Sequence, residues 1–81
     1  MTSDVSRIES FYEAGMKAMD DCEYTIAANM FKACWECYQN ADFSFYHDDT
    51  KATAFLALEK YKFITAKHLK PGEYDELDYW Q

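Results

Sequence analysis

The sequence predicts an all-α domain, and three observations carry that prediction. Its 81 residues include only two glycines and one proline, too little turn material for a set of β-hairpins. Apolar residues recur at spacings of three and four over three long segments, which is the period of a helix face. Apolar residues make up 49% of the chain and aromatics 19%, more than a disordered tail carries and enough to build a core. The length is that of one small domain, 1–81, which buries roughly 60–65% of the surface its unfolded form exposes. A two-lobed enzyme with a cleft between domains does not fit in it.

The first helix is expected over 7–20. Ser6 with Glu9 three residues on reads as a capping box, each side chain satisfying an orphan N–H of the first turn. Ile8, Phe11, Tyr12, Gly15, Ala18 and Met19 then hold helical spacing for three turns, and Asp20-Asp21 stops the pattern. A second helix follows over 23–39 with the stripe Tyr24, Ala27, Ala28, Phe31, Cys34, Trp35 and Tyr38. Its polar residues Thr25, Asn29, Lys32, Glu36 and Gln39 make one narrow strip, so this helix should be covered on two sides.

Residues 40–49 break both periodicities and read as a loop carrying Phe43, Phe45 and Tyr46. One of Asp48, Asp49 or Thr50 caps a long third helix over 50–69. That helix has two apolar faces, one with Ala54, Ala57, Leu58, Tyr61, Ile64 and Leu69, the other with Ala52, Phe55, Leu56, Phe63 and Ala66. Lys60 and Lys67 mark its expected solvent stripe, and Pro71-Gly72 ends it. A short C-terminal helix is expected over 73–80, with Tyr74 and Leu77 turned inward.

Fifteen acids against eight bases give a net charge of −7. The sign argues against direct binding of nucleic acid or of an anionic membrane surface. It is unevenly spread: residues 1–49 carry −7, residues 50–70 carry +4, and residues 71–81 carry −4. No run approaches the ~20 apolar residues of a membrane span. Met1-Thr2-Ser3-Asp4 has none of the features of a signal peptide, so a cytoplasmic protein with three reduced cysteines is expected.

Catalytic chemistry finds little support. Cys34 and Cys37 have CxxC spacing but fall in mid-helix, away from the helix N-terminus that activates a redox thiol, so they read as core cysteines. A metal site through Cys22, Cys34, Cys37 and His47 lacks a second paired ligand motif. Asp20-Asp21 and Asp48-Asp49 precede helices, where capping explains carboxylates without an ion. His68 reads as a core or edge histidine. No phosphate loop or nucleophile–base pair is present, and neither an enzyme nor a cofactor is expected.

Residues 8–39 resemble a tetratricopeptide repeat (TPR), a helix–turn–helix unit of 34 residues with large and small residues at fixed positions. Phe11, Ala14, Gly15 and Ala18 match its first helix, Tyr24 its turn aromatic, and Ala27, Phe31 and Cys34 its second helix. Small Gly15 and Ala27 allow close helix approach, with Phe31 between them. The pattern departs at Cys22, where glycine is common, and at Gln39, where proline is expected. The stretch from Pro71 to Leu77 is similar to the turn that opens a repeat's second helix, which makes a degenerate second repeat. Repeats of this kind need roughly three copies to be stable. A chain with fewer must fold its third helix and tail back as a cap, or associate as a homodimer.

The resemblance implies a binding surface on the first helix, carried over to Glu9, Tyr12, Met16, Met19 and Asp20. The family's clamp for peptide C-terminal carboxylates uses Lys and Asn, and Tyr12 and Glu13 stand in that region instead. Apolar residues edged with acids suit a basic or amphipathic segment of a partner protein, one that itself binds nucleic acid included. Phe43, Phe45, Tyr46 and Trp80 are further candidate anchors, since aromatics lead among interface hot spots. The expectation is a non-catalytic protein–protein interaction module or adaptor. The alternative is an acidic inhibitor imitating nucleic acid, which the chain resembles in size and charge, as phage anti-defence and anti-CRISPR proteins do. A weaker third reading is a metal-binding regulator using Cys22, Cys34 and Cys37.

Overall fold

The computed structural model describes residues 4–40 and 48–74. Three helices make up the fold, α1 (Asp4–Asp20), α2 (Tyr24–Asn40) and α3 (Asp48–Lys67), with no strand among the described residues. The all-α prediction is met. None of these helices is long and apolar enough to cross a membrane.

α1 begins a turn earlier than the Ser6–Glu9 pair predicts. Both residues lie inside the helix and are exposed, so they do not form its start. Half-buried Val5 extends the apolar stripe one turn upstream of the fully buried Ile8, which gives those residues a reason to stay helical. The other end is a full Schellman motif. The Glu23 N–H donates to the Ala18 carbonyl at 2.8 Å and the Cys22 N–H to that of Met19 at 3.0 Å. Cys22 takes the left-handed conformation that the motif demands, with φ at 61°.

α2 runs back along α1 and is sandwiched between α1 and α3, as its narrow polar strip predicts. Ala27, Ala28, Phe31, Cys34 and Trp35 are buried, all from the stripe read in the sequence. α1 and α2 approach closely at Gly15, where a Cβ would sit 2.7–2.8 Å from three ring carbons of Phe31. Phe31 itself is fully buried, with Tyr12 tilted against it at 5.7 Å between ring centroids. Burying a side chain of this size stabilises the fold by roughly 1.5–3 kcal/mol. On the polar strip, the Lys32 Nζ meets Glu36 Oε1 at 3.2 Å, an i,i+4 pair contributing about 0.3–0.5 kcal/mol.

α3 is antiparallel to α2. His68, just past its end, stacks on Tyr24 at the start of α2, while Phe55 near its start meets Trp35 at 5.0 Å and Tyr38 at 6.1 Å. It spans Asp48–Lys67 rather than 50–69, and Thr50 is a buried residue of its first turn. Leu69 lies beyond the helix but still packs on the core, which explains why its hydrophobicity reads as one more helical position. The first of the two apolar faces is buried through Ala54, Ala57, Tyr61 and Ile64. The second stays exposed at Ala52, Phe55, Leu56, Phe63 and Ala66, although Phe55 leans on Trp35, and Lys60, expected on the solvent stripe, is half-buried.

Pro71-Gly72 forms a type II turn after α3. The Glu73 N–H donates to the Lys70 carbonyl at 3.0 Å, Pro71 fixes the first corner, and Gly72 takes the second with φ at 96°. The Glu73 carboxylate also accepts from the Lys70 N–H at 2.7 Å. Residues 71–74 are turn and bend, not the start of a helix over 73–80, whose remaining residues lie outside the described ones. Tyr74 does turn inward, edge-on to Tyr61 at 5.9 Å, while Leu77 lies outside the described residues.

Candidate interaction surface

The α1 residues singled out in the sequence share one side of the helix. Glu9 and Asp20 are exposed, while Tyr12, Met16 and Met19 are half-buried against the core. Spacings of three and four between them set Tyr12, Met16 and Met19 in a row, with Glu9 and Asp20 at its ends. Their inner atoms rest on the cluster that contains Phe31, and their outer atoms remain accessible. Glu13, Asp21 and Glu23 are also exposed, so carboxylates outnumber Arg7 and Lys17 on the outer side of α1 and its following turn. The surface is therefore an apolar ledge edged with negative charge. Phe43, Phe45, Tyr46 and Trp80 lie outside the described residues.

The turn after α1 carries a second feature that the sequence did not single out as a site. Cys22, Glu23, Tyr24, Thr25, Ile26 and Leu69 line an open hollow of about 320 Å³. Tyr24 stacks on His68 with ring centroids 3.9 Å apart and planes 3° from parallel. The neighbouring Cys22 thiol first, and desolvation of the phenol second, raise Tyr24 above its ordinary value. The available signal in the sequence was a cysteine at the expected helix break, two residues before the aromatic Tyr24.

The cysteines do not converge on one site. Cys34 is fully buried and donates its S–H to the Ile8 carbonyl at 3.3 Å, tying α2 to α1. Burial pushes its thiol up to about 12, with the neighbouring Cys37 adding to the shift. Such a thiol stays protonated and unreactive at neutral pH. Cys37 is half-buried and Cys22 exposed. Ten helical residues separate Tyr24 from Cys34, about 15 Å of rise, so Cys22 is out of reach of the CxxC pair. No group of three or more potential metal ligands occurs among the described residues.

The outward face of α3 is the other surface that stands out, although no residue on it reads as a binding residue from sequence. Phe55, Leu56 and Phe63 are 44%, 48% and 50% exposed, which is unusual for three large apolar residues on one helix. The signal that locates them is the second apolar face of the periodicity.

Neither family models, curated proteins nor solved structures give a match to this chain. Its functional reading therefore rests on its own residues.

Proposed function

We propose that the chain is a small, non-catalytic interaction module of TPR-like design that binds a segment of a partner protein on α1. The observation that carries this reading is the half-buried row Tyr12, Met16 and Met19, bounded by exposed Glu9 and Asp20. Such a ledge offers adaptable apolar contact from the methionines and a negative rim that favours a basic or amphipathic segment. The TPR-like reading draws support from the Gly15–Phe31 approach and from left-handed Cys22, at a position where that family favours glycine. The antiparallel α1–α2 pair is consistent with it. A cytoplasmic setting suits three free thiols.

A second reading draws on the exposed carboxylates Glu9, Glu13, Asp20, Asp21 and Glu23. In it the acidic side of α1 imitates nucleic-acid phosphates and occupies a nucleic-acid-binding partner. The two readings part on salt, since a phosphate mimic depends on charge and an apolar ledge does not. The test is capture of partners from the source cell by wild-type chain and by Met16→Glu, at low and high salt. Ledge binding predicts capture that survives salt and is lost in Met16→Glu. Mimicry predicts capture that salt abolishes and that Met16→Glu leaves intact.

A further inference from the structure

α3 has two apolar faces, and Ala54, Ala57, Tyr61 and Ile64 of the first are buried. On the opposite side Ala52, Phe55, Leu56, Phe63 and Ala66 stay exposed in one stripe. At about 100° per residue, Lys51 and Lys62 fall along one edge of that stripe and Lys60 and Lys67 along the other. The Lys67 ammonium lies 5.6 Å from the centre of the Phe63 ring. Between Ala52 and Ala66 the single acid is Glu59. The face is therefore apolar down its middle and positive along both sides. It suits an acidic segment that also carries large apolar side chains.

The C-terminal segment of this chain has that chemistry and is delivered to α3. Residues 75–81 hold Asp75, Glu76 and Asp78, no base, and apolar Leu77, Tyr79 and Trp80. The turn at Pro71-Gly72 reverses the chain, so Tyr74 lies back beside Tyr61, edge-on at 5.9 Å. Seven residues follow Tyr74, with a reach of at most about 24 Å. From Tyr61 to Leu56 the path runs half-way round a helix about 10–12 Å across with five residues of rise, roughly 20 Å in all. Trp80 is near enough to the end of the chain to cover that distance.

We infer that residues 75–81 fold back across the outward face of α3, with Trp80 over Leu56 and Phe63 and the three acids among the flanking lysines. Charge selects the face. Residues 50–70 carry +4 and residues 71–81 carry −4, whereas residues 1–49, at −7, repel an acidic tail from the other two helices. Exposed ion pairs are individually weak, so they place the tail while the apolar contacts hold it. Glu59 supplies the acceptor that a covered indole N–H requires. Tethering selects the occupant: a segment joined to the same helix through one turn meets the face at an effective concentration on the order of millimolar, which a separate molecule must exceed. The α1 ledge takes no part, so the docking stands or falls independently of the function proposed for that ledge.

Solution NMR of the full chain tests the docking, at a concentration where light scattering gives the 9.6 kDa of one copy. The expected result is through-space contact between the Trp80 ring and the Leu56 methyl groups. Trp80→Ser should displace the amide signals of Leu56, Glu59 and Phe63. Cleavage of the tail by chymotrypsin should be roughly tenfold faster in Leu56→Ser than in wild type, because docking protects the segment. Amide signals that stay in place in Trp80→Ser would overturn the inference. So would equal cleavage rates, or contacts from Trp80 to α1 or α2 instead of α3. Contacts that appear only as the mass rises towards twice 9.6 kDa would also overturn it, by giving the face to the tail of a second copy.

Discussion

Gly15 sits under the ring of Phe31 with no room for a methyl group. Gly15→Ala gains helix propensity of about 0.5–1 kcal/mol but must displace a fully buried ring, which costs about 1–3 kcal/mol. The expected net result is a loss of stability of about 1–2 kcal/mol in chemical denaturation. Cys22 presents the opposite case, since its φ of 61° is one that glycine adopts without strain. Cys22→Gly should leave stability within about 0.5 kcal/mol of wild type, whereas β-branched Cys22→Val should lose about 1–2 kcal/mol. Cys34 makes a pH prediction. Its folded thiol is pushed up to about 12 from an ordinary 9.0, so the folded chain holds a proton that the unfolded chain releases in between. Stability from this group is intact below pH 9 and falls as pH rises from there towards 12, by at most about 1.4 kcal/mol per pH unit. Alkaline unfolding of wild type against Cys34→Ala should show the steeper pH slope in the wild type. In thiol labelling at neutral pH, Cys22 should react first and Cys34 only on unfolding.

At the scale of elements, the turn after α3 offers a clean test of backbone strain. Gly72 has φ at 96° and nothing within 4 Å of the place a Cβ would take. Gly72→Ala should therefore lose about 1 kcal/mol through conformation alone, without steric conflict. This element was legible as a chain stop in Pro71-Gly72, and the inward turn of Tyr74 was legible with it. The α2 stripe was legible residue by residue, because a helix packed on two sides leaves a polar strip too narrow to misread. The start of α1 was not, since Ser6 and Glu9 match a capping box by spacing while Val5 and Ile8 keep the preceding turn apolar. The end of α3 was misread for a related reason. Leu69 buries its side chain from outside the helix, and periodicity cannot separate that from a further helical turn. The Tyr24–His68 stack escaped the sequence altogether, because it joins residues 44 positions apart through the α2–α3 packing.

At the scale of the whole molecule, the described residues of the three helices present two surfaces of different character. The ledge on α1 is apolar in the middle and acidic at its edges, while the outer side of α3 is apolar with lysines alongside. Glu9, Tyr12, Met16, Met19 and Asp20 were put forward from the repeat resemblance, and helical spacing explains why they share one side of α1. Which apolar face of α3 would be covered was not, since both have helical spacing and only the packing of α2 decides between them. The most direct test of the α1 assignment is a binding isotherm of a captured partner with wild type, Met16→Glu and Leu56→Lys, each checked for helicity. The account predicts at least a tenfold loss of affinity for Met16→Glu and a per-site affinity near wild type for Leu56→Lys. Wild-type affinity in Met16→Glu, with the loss appearing in Leu56→Lys instead, would contradict it.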